Sequence, residues 1–309
     1  MRDAFIRGLT ALASQDDRVV LLTGDLGFKL FDDFARTYPG RFINAGIAEA
    51  NMMSVAAGLA MQGWNPWAYS IVPFATLRSF EQIRNDVCYN DAPVRVVGIG
   101  GGYSYGPNGP THHALEDVAV MRTLPNMTVL CPGDPVEVEL AVRASATHAG
   151  PLYLRLGRAG DPVVHQSKPN FQIGRAIELS GGTDCSLVSM GGILPVARKT
   201  AAVLAARGIS ARLISMHTVK PIDGETIRRC LVETGVIFTI EEHSLIGGLG
   251  SAIGEWMVAN GAAGRLHSLG TADEFAHSCG SQAFLQQKAG LTSESLADRI
   301  ARTLRGHAC

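Results

Sequence analysis

Short runs of β-branched and apolar residues alternate with helix-spaced segments along this chain, and that alternation restricts its possible folds more than any other feature. "VVLLTG" (19–24), "FINAG" (42–46), "PWAYSI" (66–71), "VRVVGIG" (94–100), "MTVLCP" (127–132) and "PLYLRLG" (151–157) read as strands. Between them lie helical stretches: the small-residue run 48–61, the segment 76–90 with Leu77, Phe80, Ile83 and Val87 at helical spacing, and residues 114–121 and 135–147. Such alternation implies a mainly parallel sheet covered on both faces. Ligands then bind beyond the carboxyl ends of the strands. Residues 159–175 turn polar and proline-bearing, as a linker does. The alternation restarts with "CSLVSMG", "ARLISMHTV" and "VIFTIEEH", each followed by a helical pattern. The expected fold class is α/β, with two three-layer α/β domains: a larger one over 1–165, a linker at 166–175 and a smaller one over 176–309.

The chain has 309 residues, 46% hydrophobic and 18% charged, enough to build a substantial core. Its 27 basic and 28 acidic side chains leave a net charge of -1 with no block of like charges, which argues against a nucleic-acid or polybasic membrane surface. No uninterrupted apolar stretch reaches membrane-spanning length. The opening "MRDAFIRGLTALASQDDRVV" reads as an amphipathic helix and a turn rather than a signal peptide. The six cysteines (Cys88, Cys131, Cys185, Cys230, Cys279, Cys309) show neither a C-x-x-C pair nor zinc-ligand spacing, as expected of reduced thiols in a soluble cytoplasmic protein.

Against this background one carboxylate stands out. In "RFINAGIAEANMMSVAAGLAMQG" (41–63), Glu49 is the sole ionisable side chain between Ile47 and Gly63. A charge there is costly unless paired or neutralised, although many such glutamates cap a helix or lie on its wet face. "TGDLGF" puts Asp25 at a strand end, a place where aspartate commonly serves as a turn or N-cap residue. In "GGYSYGPNGPTHHALED" (101–117), His112 and His113 follow a glycine-rich loop with Tyr103, Ser104 and Asn108 nearby, which suggests a polar cleft at the mouth of the sheet. No metal-ligand spacing accompanies them. "RLGR" places Arg155 and Arg158 at a strand end, where they suit a phosphate or carboxylate or else a surface ion pair. "GGLGSAIGE" (247–255) lacks the G-x-G-x-x-G spacing and reads more simply as a tight strand-to-helix turn.

Taken in order, "GDLG", "GIAEANMMSVAAGLAMQGWNPWAYSIVPF", "GPTHHALEDVAVMRTLPNMTVLCPGDPVEV", "RLGR", "ISMHTVKPID" and "EEHSLIGGLGSAIGE" resemble the C-terminal half of transketolase. That half comprises a pyrimidine-binding domain followed by the transketolase C-terminal domain. The resemblance implies thiamine diphosphate as cofactor, with Mg2+ (or Ca2+) held mainly by a partner. The glutamate of G-I-x-E, here Glu49, would hydrogen-bond N1′ of the aminopyrimidine, where a dry carboxylate shares a proton readily. Phe74 matches the aromatic that stacks on that ring, Phe80 a second aromatic nearby, and Asp25 the aspartate at the cofactor's edge. His112 matches the histidine that contacts substrate, and Arg158 the arginine that binds a sugar phosphate. Ser104 and Asn108 would line the same channel. Lys29 replaces a small hydroxyl residue of transketolases and offers a new cation. The histidine that transketolases place about a dozen residues before the "GPTH" histidine is absent from "GIGGGYSYG", and Asn108 replaces an acidic residue.

Nothing in the chain resembles the half that binds diphosphate and metal. The implied protein is one subunit of a split transketolase, completed by an N-terminal subunit as an α2β2 heterotetramer. It would transfer a two-carbon ketol unit from a ketose to an aldose. A β subunit of a 2-oxoacid dehydrogenase E1 and a non-catalytic subunit that kept the fold are the other readings.

Overall fold

The computed structural model describes residues 1–158 and 160–306, so Cys309 lies outside it. Twelve strands are found among the described residues: β1 (Val19–Thr23), β2 (Phe42–Asn44), β3 (Asn65–Ile71), β4 (Arg95–Ile99), β5 (Thr128–Leu130), β6 (Leu152–Leu156), β7 (Ile177–Ser180), β8 (Cys185–Met190), β9 (Ala211–Ser215), β10 (Thr218–Lys220), β11 (Val236–Ser244) and β12 (Arg265–Thr271). They form a seven-stranded sheet, β10-β5-β6-β4-β3-β1-β2, and a five-stranded sheet, β12-β11-β8-β9-β7. Only β10 and β7, each at a sheet edge, run antiparallel to their neighbours. Two α/β domains with mostly parallel sheets are therefore present, as the strand–helix alternation implies.

Burial follows the two-residue period of the strands. In β1, Val19 and Leu21 face Phe5, Leu9 and Ala13 of helix Arg2–Ala13 and Val138, Ala141 and Val142 of helix Pro135–Ser145. Val20 and Leu22 face the opposite way, onto Met52, Met53, Ala56 and Ala57 of helix Glu49–Met61. The second core does not stop at the domain limit, because it also contains Val188, Met190, Ile214, Ile227 and Ile253 of the smaller domain. On the far face of the smaller sheet, helices Leu194–Ala206 and Ser293–Arg305 cover Leu187, Leu213 and Phe238.

Two segments depart from the sequence pattern. "ARLISMHTV" is not one strand: the chain leaves β9 after Ser215, crosses to the larger sheet and pairs as β10 with β5 (Thr218 opposite Leu130, Lys220 opposite Val129). Segment 76–90 is not one helix. After a short helical turn at Val72–Ala75, it breaks into a helical turn Phe80–Gln82 and a π-helical stretch Ile83–Cys88. Thr76 Oγ1 and Ser79 Oγ donate to the carbonyls of Val72 (2.7 Å) and Phe74 (3.0 Å), the local bonding that competes with a regular helix. No described helix is long and apolar enough to cross a membrane.

A buried ionic cluster sits where the two domains meet. Arg155, on β6, donates through Nε to Asp117 Oδ2 (2.8 Å) and through Nη2 to the carbonyls of Ala114 (2.8 Å) and Glu242 (3.1 Å). Tyr153 Oη donates to the same Asp117 oxygen at 2.7 Å. Burial alone would lower the Arg155 pKa, but Asp117, Cys131 and Tyr153 together outweigh it and the net direction is upward. Arg155 is thus neither a phosphate ligand nor a surface pair. Removing one member of such a pair strands the other, so Asp117→Ala is expected to lower the unfolding free energy by about 3–5 kcal/mol. Urea denaturation followed by far-UV circular dichroism measures this, and a loss below ~1 kcal/mol would contradict the role of the pair.

Candidate active site

The carboxyl ends of β1–β4 lie at one end of the larger sheet, and there the lone carboxylate of the stretch 47–63 acquires partners. Glu49 is the first residue of helix Glu49–Met61, where the helix dipole favours an acidic side chain. It is 1% exposed. Ser70 Oγ, from β3, donates to Glu49 Oε1 at 3.1 Å, and Arg78 Nη1 donates to Oε2 at 2.7 Å. The Arg78 guanidinium carbon also lies 4.3 Å from the centroid of the Phe74 ring. Neither Ser70 nor Arg78 stands out in the sequence. The available signal is their position, at the end of a strand and four residues beyond Phe74.

Phe74 links this carboxylate to the histidine loop. Its ring meets that of His112 edge-on at 5.2 Å, and His112 meets Tyr105 at 6.4 Å. Thr111 Oγ1 lies 3.0 Å from His112 Nδ1. Burial, followed by the neighbouring His113, lowers the His112 pKa, so its imidazole is neutral at pH 7. His113 has a different part. It is buried, its Nε2 donates to the Gly106 carbonyl at 3.3 Å, and its ring abuts Tyr103, so it braces the loop. Gly100 has φ +90°, and a Cβ there would lie 2.2 Å from the Tyr105 ring. Tyr105 therefore fills the space into which a side chain at position 100 would project.

The remaining sequence candidates are distributed more widely. Asp25 is exposed in a left-handed conformation (φ 56°), held by Asn44: its N–H donates to Asn44 Oδ1, and Asn44 Nδ2 donates to Asp25 Oδ1, both at 3.0 Å. Lys29 is also left-handed (φ 65°) and exposed in the same loop. Arg158 is exposed just past β6, close enough to Tyr105 to act on its phenol electrostatically. Asn108 is exposed at the end of the turn Gly106–Asn108. Ser104 is turned inward, with its buried hydroxyl donating to the Gly101 carbonyl at 2.7 Å. Phe80 is half-buried and packs on the core beside helix Glu49–Met61. The structure thus gathers Glu49, Phe74 and His112, leaves Asp25, Lys29, Asn108 and Arg158 as exposed loop side chains, and commits Ser104 and Phe80 to packing.

This geometry can be tested against an aminopyrimidine. Such a ring needs a buried carboxylate to receive a planar N–H donor, and an aromatic face to lie on. Arg78 makes that pair of contacts within the chain, as a planar N–H donor bonded to Glu49 and lying over the Phe74 ring. The residues therefore fit the pyrimidine half of thiamine diphosphate. Among the described residues no group of three or more His, Cys, Asp and Glu side chains could hold a metal ion.

Comparison with known proteins shows the family of the chain. The transketolase pyrimidine binding domain matches residues 1–160, and the transketolase C-terminal domain residues 174–296. The 6-deoxy-6-sulfo-D-fructose transketolase subunit SqwH of Clostridium sp. is 37% identical over 96% of this chain and 92% of its own. An apulose-4-phosphate transketolase subunit from Phocaeicola vulgatus is 37% identical over 84% of each chain. A solved split-gene transketolase, in an inactive beta4 tetramer, superposes with a TM-score of 0.91 at 38% identity over 98% of both chains. This chain therefore belongs to the transketolase family, of which it carries the pyrimidine-binding and C-terminal domains.

Proposed function

We propose that the chain is the pyrimidine-binding subunit of a split, thiamine-diphosphate-dependent transketolase, transferring a two-carbon ketol unit from a ketose to an aldose. The observation that carries this reading is the set Glu49, Phe74 and His112, in which Arg78 joins the buried carboxylate to the Phe74 face and the His112 imidazole meets that ring edge-on. Thiamine diphosphate, when bound, supplies the electron sink for breaking and re-forming the carbon–carbon bond. Glu49 shares a proton with N1′ of its aminopyrimidine, and Ser70 holds the carboxylate in register. Phe74 receives the ring. His112, whose lowered pKa favours the neutral form, takes up a proton from a substrate hydroxyl and as the imidazolium returns it to a carbonyl oxygen.

The diphosphate and its metal ion would be held by an N-terminal partner subunit, in an α2β2 assembly. Phe28 and Ile47, 76% and 77% exposed in the loops after β1 and β2, are the apolar side chains that such a subunit would bury. The isolated chain should accordingly be inactive. The inactive beta4 tetramer of the split-gene relative suits that expectation. Arg158 and Lys29 would meet an anionic end of the substrate, as carried by the phosphorylated and sulfonated ketoses for which the two relatives are named. The four buried, unpaired cysteines suit a cytoplasmic setting.

Three outcomes test this reading. Glu49→Gln, in the enzyme reconstituted with its partner, should slow exchange of the cofactor's C2 proton by more than ~100-fold with the melting temperature preserved. Exchange at the wild-type rate would remove Glu49 from the mechanism. Ile47→Asp should weaken assembly with the partner at least about tenfold by ultracentrifugation without unfolding the chain, since it puts a charge into a surface to be buried. Unchanged assembly would place the interface elsewhere. Arg158→Ala should raise KM for a phosphorylated substrate about ten- to a hundredfold, with little change for its unphosphorylated analogue. Equal effects on the two substrates would mean that this arginine does not read the anionic group.

A further inference from the structure

We propose that Glu242, in the C-terminal domain, is a positioning residue that clamps the histidine loop of the other domain and so sets the place of His112. This rests on the reading that His112 meets substrate. Glu242 lies on β11, almost wholly buried, with no Lys or Arg side chain bonded to its carboxylate among the described residues. Its partners are neutral N–H groups from two directions. Tyr103 N–H, in the glycine-rich loop, donates to Oε1 at 2.8 Å. From helix Gln282–Lys288, Gln282 Nε2 reaches both oxygens (3.2 and 3.0 Å) and Gln286 Nε2 reaches Oε2 at 3.0 Å. Those glutamines are four residues apart, so they share one face of the helix. The carboxylate is a three-way joint of loop, strand and helix.

The loop is shaped to accept that joint. Gly102 has φ +67°, and a Cβ there would lie 2.6 Å from the Glu242 carboxyl carbon. Gly102 also exchanges two backbone hydrogen bonds with Ala114, each 2.9 Å, which close the loop around His112 and His113. A second contact between the domains joins Gly280 N–H to the Gly106 carbonyl at 3.3 Å. A third is apolar, with Tyr103, Leu115 and Leu285 packed together. At the base, the Glu242 carbonyl accepts from Arg155, which fixes the strand carrying the clamp. The glycine-rich loop thus accommodates a carboxylate of its own chain. The C-terminal domain, which contributes none of Glu49, Phe74 and His112, acts on the site through this contact.

Loss of the carboxylate leaves Tyr103 N–H and two glutamine amides without their acceptor, a change that loosens the loop rather than the sheets. Glu242→Gln retains an acceptor, and the facing glutamine amides can turn over to receive its NH2 group. The first experiment is hydrogen exchange by mass spectrometry on the full chain. In Glu242→Ala, amides of residues 101–109 should exchange at least about tenfold faster, while those of β4 and β8 keep wild-type protection. The second uses the enzyme reconstituted with its partner. There KM for the ketose should rise about tenfold or more with thiamine diphosphate affinity unchanged, since small misplacements of a substrate-facing group cost up to ~100-fold. Glu242→Gln should restore most of both. If Glu242→Ala does not fold, the double variant Gln282→Ala/Gln286→Ala, placed on a surface helix, should give the same pattern in milder form. Unchanged exchange in 101–109, or equal acceleration in β4 and β8, overturns the clamp. Faster loop exchange with wild-type KM overturns its action on His112. A wild-type complex without ketol transfer sinks the functional reading, while the exchange result still decides whether the clamp exists.

Discussion

The bond between Arg155 and Asp117 is the point from which the two halves of this molecule are braced. It is buried, so each charge depends on the other, and the Arg155 Nη2 group donates to main-chain carbonyls on both sides of the domain boundary. One side is Ala114, which closes the histidine loop; the other is Glu242, whose side chain grips the same loop from the opposite direction. The apolar core alone, continuous between the sheets, would hold the domains together without fixing their register. Directional contacts at the boundary supply that register. The candidate site, built in part on the same loop, inherits it.

Within the site the same economy recurs. A carboxylate at the start of a helix would ordinarily turn to water, yet Glu49 is kept inside by a hydroxyl from the neighbouring strand and a guanidinium from the segment after it. Breaking of the expected helix into short turns matters here. A single regular helix over 76–90 would have continued the apolar spacing of Leu77 inward. Instead Leu77 is exposed, and Arg78 reaches back to Glu49 across the face of Phe74.

Much of this was legible in the residues. Six strand-like runs alternating with helical spacing dictated the larger parallel sheet, because only β-branched runs buried on both faces read that way. Glu49 was visible because its apolar setting made any charge conspicuous, and His112 because of the loop before it. Other features had no local signal. Ser70, Arg78 and Asn44 matter only through contacts made across 19 to 29 residues of sequence. Ser104 looked like a cleft residue because its neighbours are polar, but a hydroxyl so near a free carbonyl in a tight loop bonds inward. Glu242 lay in a motif that reads as a strand end, and its partner is 139 residues away. The split of "ARLISMHTV" into two strands in different sheets was equally silent, since both parts have the same β character.

That split affects how the protein is made. The larger sheet lacks its edge until β10 arrives, which begins 62 residues after β6 ends (218 minus 156). At ~5–20 residues per second of synthesis, β5 waits roughly 3–12 s with an open row of amide and carbonyl groups. Lys220, which ends β10, then also sends its ammonium group to the carbonyls of Arg122 and Leu124, beyond the reach of the strand itself. The nascent chain therefore carries its own edge cover downstream, and a ribosome pause between residues 156 and 218 would lengthen the interval in which another chain could pair there instead.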